Sequence, residues 1–169
     1  MPTQDDGDFT WEKFEAAYNN ELANELGNLV SRVAKMINSY QAGVIGDAIK
    51  SEHDAAIYHD AIKDLEFNKA MDEVWLMVRG LNQYLEEVKP WQVAKTRDKD
   101  AEAESHLGEI LAHSVGTLLQ IAALLDPFLP TTAKAINDIF STGVVKLPEG
   151  VMFEKKYLHT ADPRANSDA

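Results

Sequence analysis

Residues 67–95 read FNKAMDEVWLMVRGLNQYLEEVKPWQVAK, and this stretch decides the fold. Apolar side chains recur in it every three or four positions, which is the period of a helix that buries one face. Those side chains are Phe67, Ala70, Met71, Val74, Trp75, Val78, Leu81, Leu85 and Val88. Pro90 should end the helix, because a proline disfavours helical geometry in the residue before it. The sequence therefore predicts a long helix that stops abruptly and is followed at once by Trp91.

The same periodicity predicts helices before this stretch. One long amphipathic helix is predicted from Trp11 to about Tyr40, with Gly27 as a candidate bend. A weaker pattern predicts a second helix over about residues 47–64.

Two further helices are predicted after the stretch. Asp98 or Asp100 can cap a helix that continues to Leu125, and the prolines that follow should break it. A short last helix is predicted from Pro130 or Thr131. The prediction is an all-α bundle of about five helices with an irregular C-terminal segment.

The predicted organisation has one folded domain with segments on either side. We expect residues 1–9 to be a linker or disordered, and residues 10–141 to form the helical domain. Residues 142–160 are expected to pack back onto it, and residues 161–169 to form a tail.

Composition excludes several classes of protein. The chain has 169 residues and no cysteine, so disulfides, thiolate metal sites and cysteine nucleophiles are ruled out. Its first residues are acidic and polar, unlike a secretion signal. The most apolar stretch contains polar residues and falls short of the ~20 apolar residues of a membrane span, which predicts a core helix. We expect a cytoplasmic protein with no membrane partner.

Charge is distributed unevenly along the chain. The net charge of −12 argues against DNA binding and against nonspecific binding to a phosphate backbone. Residues 89–99 differ, because they carry four basic side chains against one acid, a net charge of +3. The basic residues there are Lys89, Lys95, Arg97 and Lys99. Trp91 lies within this basic part of the chain.

Asn28, Arg32 and Lys35 form a polar flank beside the apolar face of the first predicted helix. Arg32 has no acidic neighbour three or four positions away in its own helix. Its guanidinium is therefore a candidate donor for an outside acceptor, next to an amide that both donates and accepts. A solvated helix face, or an arginine paired with another helix, is the alternative and the more common arrangement.

Trp91 follows a proline that stiffens the backbone, in a basic segment. A rigid aromatic ring beside lysines suits stacking on an unpaired nucleobase. The alternative is that Trp91 is buried at the end of the bundle, as we expect for Trp11 and Trp75.

Three segments together resemble a known family. They are YNNELANELGNLVSRVAKMINSY, FNKAMDEVWLMVRGLNQYLEEVKPWQVAK and LLQIAALLDPFLPTTAKAI. In this order they are similar to the α-helical anticodon-binding domain of methionyl-tRNA synthetase, a class I aminoacyl-tRNA synthetase. The asparagine and arginine four apart in NLVSR and the Pro-Trp in KPWQVAK carry the resemblance most specifically.

The resemblance implies roles for the matching residues. Trp91 would stack on an anticodon base, and Pro90 would shape its pocket. Asn28 and Arg32 would hydrogen-bond to base edges of the CAU anticodon of tRNA-Met. Candidate contacts to the RNA backbone are Lys35, Lys89, Lys95 and Arg97.

The catalytic motifs of that enzyme are not found in this sequence. A His-x-Gly-His signature and a Lys-Met-Ser-Lys-Ser loop are both missing. The partial match HLGE at residues 106–109 is attributed to chance. We expect no catalytic residue and no cofactor in this chain. The resemblance implies that ATP, and zinc as a candidate, belong to the catalytic part of a parent methionine-tRNA ligase. That catalytic domain and the tRNA-Met anticodon loop are the implied partners.

Two other functions stay open on the sequence. Glu102, His106, Glu109 and His113 share a helix face and could hold a metal, although a di-iron bundle needs matching motifs from other helices. A free-standing helical interaction module derived from a synthetase would show the same apolar periodicity. Retention of the four anticodon-type residues favours RNA recognition over both.

Overall fold

A computed structural model describes residues 10–46, 48, 49, 51, 53–97, 100–145, 147 and 153–156. Over those residues the chain is an all-α bundle, which confirms the predicted fold class. The helices are α1 (Trp11–Ala17), a π-helical segment (Tyr18–Gly27), α2 (Asn28–Tyr40), α3 (Ala56–Lys63), α4 (Phe67–Val88), α5 (Pro90–Val93), α6 (Ala101–Leu125) and α7 (Pro130–Phe140). The predicted linker 1–9 and tail 161–169 lie outside the described residues.

The predicted first helix is present as one helical run, but its middle is π-helical. The change from π to α geometry falls at Gly27, the candidate bend. A Cβ at this position would lie only 3.0 Å from Cδ2 of Phe153. Glycine is therefore needed because the C-terminal segment comes close to the helix here.

Residues 153–156 lie against the π-helical segment. The rings of Tyr18 and Phe153 meet edge to face, with centroids 6.4 Å apart. The Asn19 side-chain amide donates to the Lys156 carbonyl at 2.7 Å and accepts from its backbone N–H at 2.8 Å. These contacts join the two ends of the described chain.

The helix predicted over residues 47–64 is wrong in its first half. Only α3 is helical, and the described residues before it, among 48–55, are not. The backbone of Ile49 crosses α6 at Gly116, where a Cβ would lie 1.6 Å from the Ile49 carbonyl oxygen. Asp54 accepts a hydrogen bond from the Ala56 N–H at 2.9 Å. The crossing holds the segment against α6 in a non-helical conformation that local periodicity did not reveal.

The core lies between α2, α4, α6 and α7. Its fully buried side chains include Leu29, Ile37, Val78, Leu85, Leu111, Leu118, Ile121 and Ile136. The segment Glu102–Leu125 of α6 is long and apolar enough to cross a membrane by composition, but 67% of its apolar window is buried inside the fold. This matches the predicted core helix. The Tyr58 hydroxyl donates to the Leu124 carbonyl at 2.7 Å, and this hydrogen bond ties α3 to α6.

The tryptophans differ in burial. Trp75 is 7% exposed and belongs to the core, as predicted. The prediction that Trp11 is buried is wrong, because Trp11 is 53% exposed. The reason is its position on α1, which contributes no buried side chain. Its ring meets Phe14 edge to face, with centroids 6.1 Å apart.

The chain segments after α2 and α7 are joined by an isolated antiparallel bridge between Val44 and Val144. The Ile45 N–H donates to the Gly143 carbonyl, and the Val145 N–H donates to the Gly43 carbonyl, both at 2.8 Å. The bridge fixes the chain just beyond the C-terminal end of α2.

Two glycine-to-alanine changes should have opposite effects on stability. Gly116→Ala should lower the free energy of unfolding by at least ~1–3 kcal/mol, the usual cost of overpacking, because the new methyl would overlap the Ile49 backbone. The Cβ added by Gly80→Ala on α4 meets no atom within 4 Å, so this change should raise the free energy of unfolding by up to ~1 kcal/mol through helix propensity. Urea unfolding measures both. Equal stability of the two variants would contradict the crossing at Gly116.

Candidate functional site

The exit from α4 has an unusual backbone. Lys89 adopts the left-handed conformation, with φ 48° and ψ 61°, and its N–H donates to the Leu85 carbonyl at 3.1 Å. Pro90 then occupies the first turn of α5, where its missing N–H leaves no hydrogen bond unmade. The Lys89 carbonyl accepts from the Gln92 N–H at 2.7 Å. The direction of the chain therefore changes within a hydrogen-bonded turn and not in a loose loop.

Pro90 and Trp91 face different environments. Pro90 is buried, so the corner is anchored in the bundle. Trp91 is only partly buried. Part of the indole is therefore open to solvent while its backbone is held by the turn, which is what stacking on an external ring requires.

A polar cleft of about 450 Å³ runs along α2. The lining residues are Asn28, Ser31, Arg32, Lys35, Met36, Ser39 and Tyr40. The three polar residues predicted on this helix thus share one concave surface, and Asn28 and Lys35 are exposed on it. Trp91 is not part of the cleft wall.

Arg32 has an acidic partner on another helix, which is the more common arrangement that the sequence left open beside a free guanidinium. Its Nη1 lies 2.7 Å from Oε1 of Glu86 on α4, and its Nη2 donates to Asn82 Oδ1 at 3.4 Å. The sequence excluded an acidic partner only within the helix of Arg32 itself, and the partner comes from α4. The side chains are 34% and 61% exposed, so the pair contributes at most ~1 kcal/mol.

The Arg32–Glu86 pair links α2 to the C-terminal end of α4. Glu86 precedes Trp91 by five residues, so the pair sets the cleft on α2 beside the end of α4. Pro90 and Trp91 follow this end of α4 in the chain. Sequence reasoning did not find Glu86 or Asn82, since nothing in a linear pattern shows which helix faces Arg32.

The predicted phosphate-binding residues are not equivalent. Lys35, Lys89 and Lys95 are exposed, and Lys35 lines the cleft. Arg97 is instead engaged with the protein: its guanidinium donates to the Tyr40 carbonyl and lies over the Tyr40 ring, 5.9 Å from the centroid. Tyr40 also lines the cleft. It was not predicted as a site residue from the sequence, although it lies eight residues after Arg32 on the same helix face.

The metal-binding alternative has no support in the described part of the chain. Among those residues no group of three or more His, Asp or Glu side chains is placed to hold a metal ion. His106 and Glu109 are exposed and 4.0 Å apart. The His113 ring packs instead against Tyr84, with centroids 4.9 Å apart.

Residues 41–162 match the family model described as the anticodon binding domain of methionyl tRNA ligase. The chain belongs to this family. The resemblance seen in the sequence is thereby confirmed, and the chain is an anticodon-binding domain of the methionyl-tRNA ligase type. Residues 1–34 match a second model, that of class I tRNA synthetases (M).

Individual relatives agree with the family. The domain is 37% identical over 142 residues to methionine-tRNA ligase of Lactococcus lactis, covering 78% of this chain and 21% of the relative. It is 38% identical over 149 residues to the Lactiplantibacillus plantarum enzyme, covering 80% and 21%. The chain therefore spans about a fifth of the length of these relatives.

The fold of this anticodon-binding domain is also that of a solved methionyl-tRNA synthetase. The crystal structure of the apo Mycobacterium tuberculosis enzyme matches with a TM-score of 0.73 and 21% identity. The match covers 93% of this chain and 37% of that chain. At this identity the likeness concerns the fold alone.

The left-handed residue at the helix exit can be tested by stability. Lys89→Gly should raise the free energy of unfolding by up to ~1 kcal/mol, because glycine adopts positive φ without the steric cost of a Cβ. Lys95→Gly is the matched control, and it should lower stability because Lys95 has no positive φ. Thermal or urea unfolding of both variants measures this. A lower stability for Lys89→Gly would contradict the left-handed exit.

Proposed function

We propose that this domain recognises the CAU anticodon of tRNA-Met as part of a methionine-tRNA ligase, which joins methionine to its tRNA with ATP. The observation that carries the proposal is that the polar cleft on α2 is linked through Arg32 and Glu86 to the end of α4, where a turn holds the backbone of the partly exposed Trp91, in a domain of this family. The tRNA and the catalytic part of the enzyme are the proposed partners, and the cytoplasm is the proposed compartment. The catalytic part would bind ATP.

The chemistry of the site suits unpaired bases. Sequence-specific RNA recognition mostly targets loop bases that are splayed out, stacked on aromatic rings and read on their edges. Trp91 would supply the stacking surface, worth roughly 1–3 kcal/mol per base. Asn28 offers a donor and an acceptor in the cleft, and a good bidentate contact to a base discriminates by ~1–3 kcal/mol.

Glu86 restricts how a nucleobase can bind to Arg32. A guanidinium has five N–H donors, and in this structure Nη1 and Nη2 are engaged while Nε is buried without a hydrogen-bond partner. A base that recruits Arg32 must offer acceptors that either share the guanidinium with Glu86 or replace it. A donor on a base edge can instead bond to the Glu86 carboxylate, so the pair presents donors and an acceptor side by side. The pair therefore adds selectivity in addition to holding the arginine in place.

A helical interaction module is the second candidate, because an apolar cavity of about 300 Å³ lies on another part of the surface. Its lining residues include Phe14, Tyr18, Met71, Trp75 and Phe128. Such a cavity suits a protein side chain better than a nucleobase held by polar contacts. Discrimination between anticodons separates the two candidates, since a pure interaction module would show none.

Binding of an anticodon stem-loop tests the proposal. The domain should prefer a loop that carries CAU over the same loop with another triplet, and Trp91→Ala should weaken CAU binding by ~1–3 kcal/mol through lost stacking. Trp11→Ala is the matched control, because it removes an exposed indole on α1, outside the turn that follows α4. Fluorescence anisotropy of a labelled RNA gives the affinities. Equal affinity for both triplets, or equal loss in the two variants, contradicts the proposal.

The salt dependence of this binding should be shallow. The cleft and corner offer few lysines, and each phosphate contact to single-stranded RNA adds a slope of only about −0.7 in log K against log salt. Three contacts, from Lys35, Lys89 and Lys95, would give about −2. Anisotropy titrations between about 50 and 200 mM salt measure the slope. A slope several times steeper would indicate a wide basic surface and count against this mode of binding.

A further inference from the structure

We propose that Arg97 is a positioning residue for the anticodon site. It ties the turn that follows Trp91 to the C-terminal end of α2 through Tyr40. In this way it holds the Trp91 ring, which would stack on a base, in a fixed position relative to the polar cleft. This inference rests on the proposed function and assigns to Arg97 a role other than contact with RNA phosphate.

Arg97 lies where three parts of the bundle meet. Its Nη1 donates a hydrogen bond to the backbone carbonyl of Tyr40, at the end of α2. Its guanidinium carbon is 5.9 Å from the centroid of the Tyr40 ring, within cation–π range. Its Nε is 4.0 Å from Oε2 of Glu104 on α6. The side chain is only 27% exposed, so most of its surface already contacts protein.

The contact with Tyr40 satisfies a need of α2. The last carbonyls of a helix have no hydrogen-bond partner within the helix, and the end carries a partial negative charge. α2 has no basic residue in its last turn. Arg97 therefore supplies from another segment both the donor and the positive charge that this terminus lacks.

Tyr40 connects the tie to the binding surface. Tyr40 lines the same cleft as Asn28 and Arg32. A cation over the ring face restricts the orientation of that ring. Arg97 therefore shapes one end of the cleft while it holds the neighbouring segment.

The segment between Trp91 and Arg97 can transmit this restraint. Successive turns join it: the Ala94 N–H donates to the Pro90 carbonyl at 2.9 Å, the Lys95 N–H to Gln92 at 3.1 Å, and the Thr96 N–H to Val93 at 3.1 Å. Pro90 is buried at one end and Arg97 is fixed at the other. Trp91 thus lies on a short segment with two anchors, and loss of one anchor should increase the motion of its ring.

A set of variants of the full chain tests the tie. Arg97→Ala should weaken binding of the CAU stem-loop about fivefold, the size of one helix-terminus charge contact, without changing the salt slope. Arg97→Lys keeps the charge and should recover part of the loss. Lys95→Ala is the matched control: it removes a nearby exposed cation and should lower the magnitude of the slope by about 0.7.

Changes at Tyr40 separate its ring from its hydroxyl. Tyr40→Phe keeps the backbone carbonyl and the aromatic face, so Arg97→Ala should weaken binding by the same factor in this background as in the unaltered protein. Tyr40→Leu removes the face and should weaken binding, and the double change with Arg97→Ala should cost no more than the larger single change. Independent, additive losses would overturn the coupling between Arg97 and Tyr40.

A measurement without RNA reports on the tie directly. In the chain labelled with 5-fluorotryptophan, the fluorine resonance of Trp91 is assigned by Trp91→Phe. Arg97→Ala should shift or broaden this resonance, whereas Lys95→Ala should leave it unchanged. The resonance of the buried Trp75 shows in the same spectrum whether the fold is intact. If Arg97→Ala loses the fold, Arg97→Lys and Tyr40→Leu carry the test.

The two proposals fail in different ways. If the unaltered protein does not prefer CAU but the Trp91 resonance responds to Arg97→Ala, the anticodon function is wrong and the structural tie is supported. If the protein prefers CAU, while Arg97→Ala leaves the Trp91 resonance unchanged, the positioning role is overturned. A fall in the magnitude of the salt slope by about 0.7 in that variant would then assign Arg97 to a phosphate contact.

Discussion

The break between α4 and α5 is the constraint on which the candidate site depends. Pro90 cannot continue the hydrogen bonding of α4, and Lys89 takes the left-handed conformation that turns the chain. Because Pro90 itself is buried, the turn is held by the core and not by solvent-exposed residues. An indole placed directly after such a turn keeps its position without being enclosed. This explains why a large aromatic side chain lies at a helix exit in an acidic domain.

The acidic character of the domain is compatible with the proposed RNA recognition, because the proposed contacts depend on shape and hydrogen bonding more than on charge. The net charge is −12, and even the arginine of the cleft is paired with Glu86. Such a surface attracts phosphate weakly, so nonspecific RNA gains little from it. Affinity must then come from base stacking and from edge contacts, and both depend on the bases themselves. Weak electrostatic attraction thus favours selectivity.

The parts of the fold that local chemistry controls were predictable. Pro90 ends one helix and Pro130 starts another, and Asp100 caps α6 by accepting from the Glu102 N–H at 2.9 Å. Contacts between distant segments were not predictable. The approach of Ile49 to Gly116 removed a predicted helical segment, and the π geometry before Gly27 has no periodic signature. At the Ile49–Gly116 crossing, tertiary packing overrode the local preference of the chain.

The candidate site divides in the same way. The spacing of Asn28, Arg32 and Lys35 predicted a shared helix face, which the structure shows as one cleft. The pairing of Arg32 with Glu86 and of Arg97 with Tyr40 required knowledge of which helices are neighbours. The sequence can therefore nominate an arginine as a site residue. Only the structure shows whether residues of other helices already pair with it. Arg32 remains at the cleft despite its partner, whereas most of Arg97 is turned toward the protein.

The most direct test of the account is a nuclear magnetic resonance titration of the labelled domain with a CAU anticodon stem-loop. We predict that the largest chemical-shift changes occur at the indole N–H of Trp91, the side-chain amide of Asn28 and the guanidinium of Arg32. The indoles of Trp11 and Trp75 should change little. Changes centred on the apolar cavity near Phe14 and Phe128, with the Trp91 indole unaffected, would contradict the account.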